Sequence, residues 1–116
     1  MLSFPGAKMY LVAGVTDMRK SFRGLPAIIT NVVKRDPLSG EVFIFCNRRR
    51  NRLKILFFDR NGYWICAKRL EGGTFAWPEV GGASLEMTPE ELTMLLGGID
   101  LCGTERRHWY THSARV

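Results

Sequence analysis

Arginine is the residue type through which this sequence could do chemistry. The 116 residues contain 17 Lys and Arg against 11 Asp and Glu, a formal net charge of +6, and 12 of the 17 are Arg. Residues 1–70 carry a net charge of +10, whereas residues 71–116 carry −4. A guanidinium group is weakly hydrated and binds phosphate oxygens through paired N–H donors. The charge distribution therefore predicts a phosphate-bearing partner such as nucleic acid. An unpartnered basic surface and self-association of the basic half with the acidic half are the alternatives.

Two short segments concentrate these cations. One places four arginines within five residues between two predicted strands, so mutual repulsion favours an exposed loop. The other lies near the start of a predicted helix. Clustered arginines suit phosphate contacts, which position a protein on nucleic acid without reading sequence; a merely solvated loop or helix face is the alternative for each segment. The residues predicted to bind nucleic acid are Arg19, Lys20, Arg23, Arg48, Arg49, Arg50, Arg52 and Lys54.

The sequence supports metal binding and catalysis less well than it supports nucleic-acid binding. Cys102, His108 and His112 are grouped, but they lack the Cys-x-x-Cys pair that usually seeds a structural zinc site. Cys46 and Cys66 lie in apolar strands, where cysteine usually behaves as a small hydrophobic residue. No nucleophile elbow or phosphate-binding Gly-rich loop is present. The sequence therefore predicts no metal, no cofactor and no catalytic residue.

The acidic residues leave one enzymatic alternative open. Three carboxylates could converge on divalent ions, as in enzymes that cleave and join nucleic acids. The chain is short for a nuclease-type fold, and Asp17 is explained more simply as a helix N-cap. We therefore expect a protein that is not an enzyme. The scattered candidates are Asp17, Asp59, Glu71 and Asp100.

The elements that must position the basic residues can be predicted from hydrophobic spacing. Residues 8–12 predict a strand, and Thr16 or Asp17 is a plausible N-cap for a helix after it. Apolar positions at steps of three and four predict a helical face. Because Pro26 disrupts a helix interior, the segment is either one kinked helix or a short helix at 17–23 with a second beginning near Pro26. The apolar face comprises Met18, Phe22, Leu25, Ile29 and Val32 or Val33.

The middle of the chain predicts antiparallel β-structure. Residues 42–46 and 53–59 are apolar runs, and Asn61-Gly62 is the strongest hairpin signal in the chain. This turn would pair Arg60 with Tyr63 and put apolar residues on both faces of the sheet. We therefore expect helices to cover both faces, with a partner protein as a further option for part of that cover. Residues 36–40 and 71–73 predict turns, and residues 74–78 a short extended piece. Thr88, Pro89 and Glu91 predict a capped helix that ends at Gly97-Gly98.

The fold class expected from these elements is α+β, a small single domain with a mainly antiparallel sheet, a helical segment after the first strand and a C-terminal helix. We place the domain at 1–103 and a basic, aromatic tail at 104–116. The N-terminus shows no signal-peptide pattern, no apolar stretch is long enough to span a membrane, and three widely spaced cysteines suit a reducing compartment. A cytoplasmic protein is expected.

Several sequence blocks resemble one family of bacterial transposition proteins. They occur in the family's order and span residues 7–101. The chain is similar to the second open reading frame product, called TnpB, of the insertion-sequence family numbered sixty-six, and not to the RNA-guided nuclease that shares the label. The blocks are residues 14–25 (GVTDMRKSFRGL), 43–45, 48–49, 52–56 (RLKIL), Asp59, 61–62, 68–73 (KRLEGG), 75–78 (FAWP) and 92–100 (LTMLLGGID).

The resemblance implies an accessory protein encoded beside a separate, larger transposase that carries the strand-transfer carboxylates. The expected partners are that transposase, other proteins of the same element and DNA at the element's ends, with a homo-oligomer as a further option and no membrane. Assigning the basic residues to DNA is an inference from charge. The alternative is an adaptor that binds only protein.

The tail carries the predicted protein contacts. Cations alternate with aromatic rings there, a pattern that suits a segment ordering on a partner. The alternative is a chain end that folds back over the sheet with Trp109 as a core residue. The residues predicted to bind a partner are Arg106, Arg107, Trp109 and Tyr110.

Overall fold

A five-stranded sheet forms the centre of the protein. The computed structural model describes residues 3–97. The strands are β1 (Met9–Val12), β2 (Val42–Cys46), β3 (Arg52–Asp59), β4 (Gly62–Arg69) and β5 (Ser84–Met87). Their order in the sheet is β4-β3-β2-β1-β5, and every neighbouring pair is antiparallel except β1 with β2, which is parallel. The predicted α+β class is confirmed.

Helical segments cover the sheet on both faces, as the two-sided apolar pattern predicts. The crossover from β1 to β2 contains α1 (Gly24–Ile28), which continues as a π-helical turn (Ile29–Val33). Its Leu25, Ile29 and Val33 pack on one face, against β1, β2 and β3. The second helix, α2 (Pro89–Leu96), buries Leu92 and Leu95 on the opposite face. Apolar burial on two faces thus stabilises a sheet of only five strands.

The C-terminal helix begins as its sequence predicts. The Thr88 hydroxyl accepts from the Glu91 amide at 3.1 Å, and Glu91 Oε1 accepts from the Thr88 amide at 2.8 Å. Pro89 occupies the first turn, where a missing N–H costs no helical hydrogen bond. The helix ends at Leu96, with Gly97 as its C-cap.

The first helix begins later than Thr16 or Asp17, so the expectation of an N-cap there is wrong. Residues 18–19 and 22–23 form turns, so the short helix expected at 17–23 is also wrong, whereas a helix does start at Gly24, close to Pro26 as expected. This start places Pro26 in the first turn, where its missing N–H leaves no bond unmade. Phe22 leaves the predicted apolar face and is 56% exposed, whereas Val33 rather than Val32 is buried there, as one of the two predicted options.

The β3–β4 hairpin turns one residue earlier than predicted. Asp59 pairs with Gly62, whereas the prediction pairs Arg60 with Tyr63, so each residue of β3 faces a β4 residue two positions earlier than expected. Arg60, and not Gly62, has a positive φ, of 57°. A two-residue shift preserves which side chains share a face, so the predicted faces are confirmed although the partners change. The observed register stacks Phe58 edge-to-face on Tyr63 with ring centroids 5.2 Å apart, a contact that offsets strain at Arg60.

Other predicted segments agree with the structure, with one omission. The strand at 8–12 and those at 42–46 and 53–59 are confirmed within one residue, and residues 36–40 and 71–73 contain turns or bends. No local pattern indicates β5, which is defined by its pairing with β1. No helix within residues 3–97 is long and apolar enough to cross a membrane. The domain boundary at 103 and the tail lie outside the described residues.

Candidate nucleic-acid interface

The two basic segments meet in one cleft of about 450 Å³. β1 and β2 are parallel, so the residues directly after both strands lie at the same end of the sheet. The segment after β1 and the turn after β2 therefore become neighbours, although some 30 residues separate them in the chain. We call this concavity the basic cleft; it is lined by Val15, Thr16, Asp17, Met18, Arg19, Asn47, Arg48, Arg49 and Arg52.

Hydrogen bonds hold the segment after β1 onto the sheet. The Thr16 amide donates to the Cys46 carbonyl oxygen at 2.8 Å. Lys54 Nζ, from β3, donates to the carbonyl oxygens of Met18 and Lys20 at 2.8 and 2.9 Å. These bonds fix one wall of the basic cleft.

The turn from β2 to β3 is fixed by the side chain of Asn47. Its Oδ1 accepts from the amides of Asn51 and Arg52, each at 3.1 Å, and its Nδ2 donates to Asn51 Oδ1 at 2.8 Å. Arg48 and Arg49 lie at the tip, and both are exposed. Their backbone is thus ordered while their guanidinium groups face solvent, which lowers the entropic cost of binding an anion.

Two of the residues predicted to contact nucleic acid instead make contacts within the protein. Arg50 donates from Nη1 to the Gly14 carbonyl oxygen at 3.1 Å, and its guanidinium carbon lies 5.4 Å from the centre of the Trp77 ring. Its φ of 59° fits the sharp turn. Lys54 makes the two carbonyl bonds described above. Both cations therefore position the walls of the basic cleft.

The other six predicted residues remain exposed. Five of them make no side-chain ion pair or hydrogen bond within residues 3–97: Lys20, Arg23, Arg48, Arg49 and Arg52. The sixth, Arg19, pairs with Asp17, with Nη2 and Oδ2 2.7 Å apart. Arg48, Arg49 and Arg52 line the basic cleft without a compensating anion of their own, so the electrostatic potential there favours negative charge.

The hydrogen bonds from Arg19 lower the pKa of Asp17 from 3.8 to about 2. Asp17 therefore stays ionised at any physiological pH.

Asp59 ends β3 at the opposite end of the sheet, and within the described range no three Asp, Glu, His or Cys side chains group as metal ligands. Burial raises the pKa of the Cys46 thiol behind the turn, which favours its protonated form.

Some of the predicted chemistry falls outside residues 3–97. The candidates concerned are Asp100, Cys102, Arg106, Arg107, His108, Trp109, Tyr110 and His112.

Several residues of the basic cleft are not predicted from the sequence. Val15, Thr16 and Met18 form part of its lining, but their types suggest core or capping positions. The available signal was their position directly after a strand, where parallel β-structure places binding loops.

Comparison with known proteins identifies relatives along most of the chain. The model of the family described as IS66 Orf2 like protein, TnpB_IS66, matches residues 7–106. Two similar proteins from Sinorhizobium fredii are the uncharacterized proteins y4hO and y4jC. The first is 37% identical over 93 residues, 80% of this chain and 81% of the relative. The second is 31% identical over 102 residues, 88% and 87% of the two chains. No solved structure matches. The match over residues 7–106 confirms the resemblance of the sequence blocks, and the chain belongs to the IS66 Orf2-like family.

Proposed function

We propose that this chain is a non-catalytic accessory protein of insertion-sequence transposition that binds DNA through the basic cleft. Family membership supports the accessory role in transposition. The observation that carries the DNA contact is the convergence of Arg48, Arg49 and Arg52 on the segment that holds Arg19. In this proposal the protein acts in the cytoplasm, beside the transposase and other proteins of the same element.

Binding through these residues is electrostatic and weakly selective for sequence. Exposed guanidinium groups contact phosphate oxygens, and phosphate contacts carry no direct sequence information. Binding releases condensed cations from DNA, so affinity falls steeply as salt concentration rises. The protein would thus bring DNA to the transposase without choosing the site by itself.

A matched pair of triple variants tests the DNA contact. The variant R48Q/R49Q/R52Q removes the three unpaired charges of the basic cleft. The control K8Q/K34N/R60N removes three exposed charges near the opposite end of the sheet, with Asn at the two positions of positive φ. Fluorescence anisotropy at several salt concentrations should show weaker binding and a log–log salt slope reduced by about three in the first variant only. Equal losses in both variants would reject the basic cleft as the site.

The protein should not cleave DNA. Purified protein with magnesium or manganese is expected to leave DNA carrying the element's ends intact. Nicking that co-purifies with the protein and disappears in D17N or D59N would contradict the non-catalytic assignment.

A purely protein-binding adaptor is the second candidate. The observation that favours it is Trp64, which is 57% exposed on β4, an edge strand of the sheet. Exposed aromatic rings are typical anchors of protein interfaces. Arg106, Arg107, Trp109 and Tyr110 remain predicted contacts in the same role. A pull-down of the transposase with W64A and with a chain truncated after residue 103, in the presence and absence of DNA, distinguishes the candidates.

A further inference from the structure

Thr16 is the one polar residue within 3–97 that is buried, and it lines the basic cleft. Its exposed fraction is 4%. The backbone amide is paired with Cys46, but the hydroxyl makes no hydrogen bond within the described chain. Trp77 Nε1 is the one fully buried side-chain polar atom within residues 3–97 that has no hydrogen-bond partner, so the Thr16 hydroxyl keeps some contact with solvent. A hydroxyl that reaches solvent on a residue lining a cleft with four arginines is a donor suited to a phosphate oxygen.

The walls of the basic cleft indicate that its ligand also has an apolar part. Val15 is 48% exposed and Met18 is half-buried, and both line the concavity beside the arginines. Phosphate gains nothing from these apolar groups, whereas a sugar or the face of a base does. A cleft of about 450 Å³ lies in the size range of small-ligand sites. A DNA duplex is far wider and could only lie across its mouth.

From these observations we propose that the basic cleft binds an unpaired DNA strand, with a phosphate on Thr16 and the arginines and an adjoining sugar or base against Val15 and Met18. This inference rests on the proposed DNA-binding function and narrows its ligand from DNA in general to single-stranded DNA. Arg48, Arg49 and Arg52 supply the charge, and Thr16 supplies the neutral donor at the buried end. A duplex reaches the arginines at the rim but not Thr16.

The experiment compares a fluorescein-labelled oligothymidylate with a duplex of equal length, about 12 nucleotides, within the range of known single-strand sites. The protein should bind the oligothymidylate more tightly than the duplex at the same salt concentration. T16V removes the hydroxyl and keeps the buried volume, and T16S keeps the hydroxyl. T16V should lower affinity for the single strand about tenfold and leave duplex affinity unchanged. T16S should bind like the original protein, and thermal melting should show all three folded.

The outcomes separate this inference from the function on which it rests. If R48Q/R49Q/R52Q weakens both ligands but T16V weakens neither, or weakens both equally, the single-strand site is wrong and DNA binding stands. Tighter binding of duplex than of oligothymidylate also overturns the single-strand site. If the triple variant weakens neither ligand, both the proposed function and this inference fail.

Discussion

Asp17 holds the guanidinium of Arg19 in a two-point ion pair at the rim of the basic cleft. Arg19 Nε lies 3.0 Å from Asp17 Oδ2, and Nη2 lies 2.7 Å from the same oxygen. Asp17 also accepts from the Arg19 amide at 2.9 Å, so one carboxylate fixes both the turn and the side chain. The pair leaves the cleft with one compensated arginine and three uncompensated ones, and Asp17 is the negative charge that an approaching phosphate would meet.

Replacing Asp17 by Asn should strengthen DNA binding. The amide oxygen of Asn can still accept from the Arg19 amide, while the charge that opposes phosphate is removed. We expect higher affinity and a salt slope steeper by about one, since Arg19 is freed for phosphate. The control E41Q breaks the Arg35–Glu41 pair near the other end of the sheet and should leave DNA affinity unchanged. Unchanged or weaker binding by D17N in anisotropy measurements would contradict the proposed role of the cleft.

The same ion pair predicts a stability difference that depends on pH. The pKa of Asp17 is lowered from 3.8 to about 2 by the folded structure. A group with a depressed folded pKa stabilises the protein above its unfolded pKa, and that contribution is lost as pH falls through the folded value. The melting temperature of the original protein relative to D17N should therefore be constant above about pH 5 and decline between about pH 4 and pH 2. A constant difference down to pH 2 would show that the pair is not formed.

Lys54 should behave as a positioning residue. K54M removes the ammonium group that binds the carbonyl oxygens of Met18 and Lys20, and those oxygens lose a charged donor. We expect the free energy of unfolding to fall by about 1–3 kcal/mol, together with weaker DNA binding because one wall of the cleft is released. K20M, the same change at an exposed neighbour, should leave stability unchanged. Denaturant unfolding of both variants is the measurement; equal stability would place Lys54 among the simple surface cations.

The capping box of α2 should contribute measurably to stability. T88A removes the hydroxyl that accepts from the Glu91 amide, and we expect a loss of about 1 kcal/mol. In the same helix, the Thr93 hydroxyl donates to the Pro89 carbonyl oxygen at 3.0 Å, and T93A should be near neutral because Ala has the higher helix propensity. Thermal unfolding of the two variants makes the comparison, and a T93A loss as large as that of T88A would contradict it.

Local signals predict most of the elements of this fold. Five apolar residues at 42–46 and the Thr88–Glu91 capping box are readable because their causes lie within a few residues. The hairpin turn is predicted at Asn61-Gly62, one residue later in the chain than observed, because that pair is the stronger local turn signal. The ring contact between Phe58 and Tyr63 accompanies the observed register, and rules based on turn residues do not take such a contact into account. β5 has no local signal, since four residues become a strand only through pairing with β1.

The basic cleft is predictable in composition but not in shape. The clusters around Arg19 and Arg48 are evident from charge, yet their meeting depends on the parallel pairing of β1 with β2, which no short segment encodes. Arg50 and Lys54 look like any exposed cation in the sequence. Only their carbonyl partners, 34 to 36 positions away, distinguish a residue that builds the cleft from one that faces it.

The central place of β1 has a consequence for the order in which the chain folds. Met9 pairs with both Val42 and Met87, 33 and 78 positions further along the chain, whereas the β3–β4 hairpin closes between Asp59 and Gly62. Contacts between distant residues form late, because closing a long loop costs entropy before any bond repays it. We expect the meander of β2, β3 and β4 to form first and β1 to dock afterwards. The cleft is therefore completed late, and a partly folded chain carries the arginine turn without the wall that faces it.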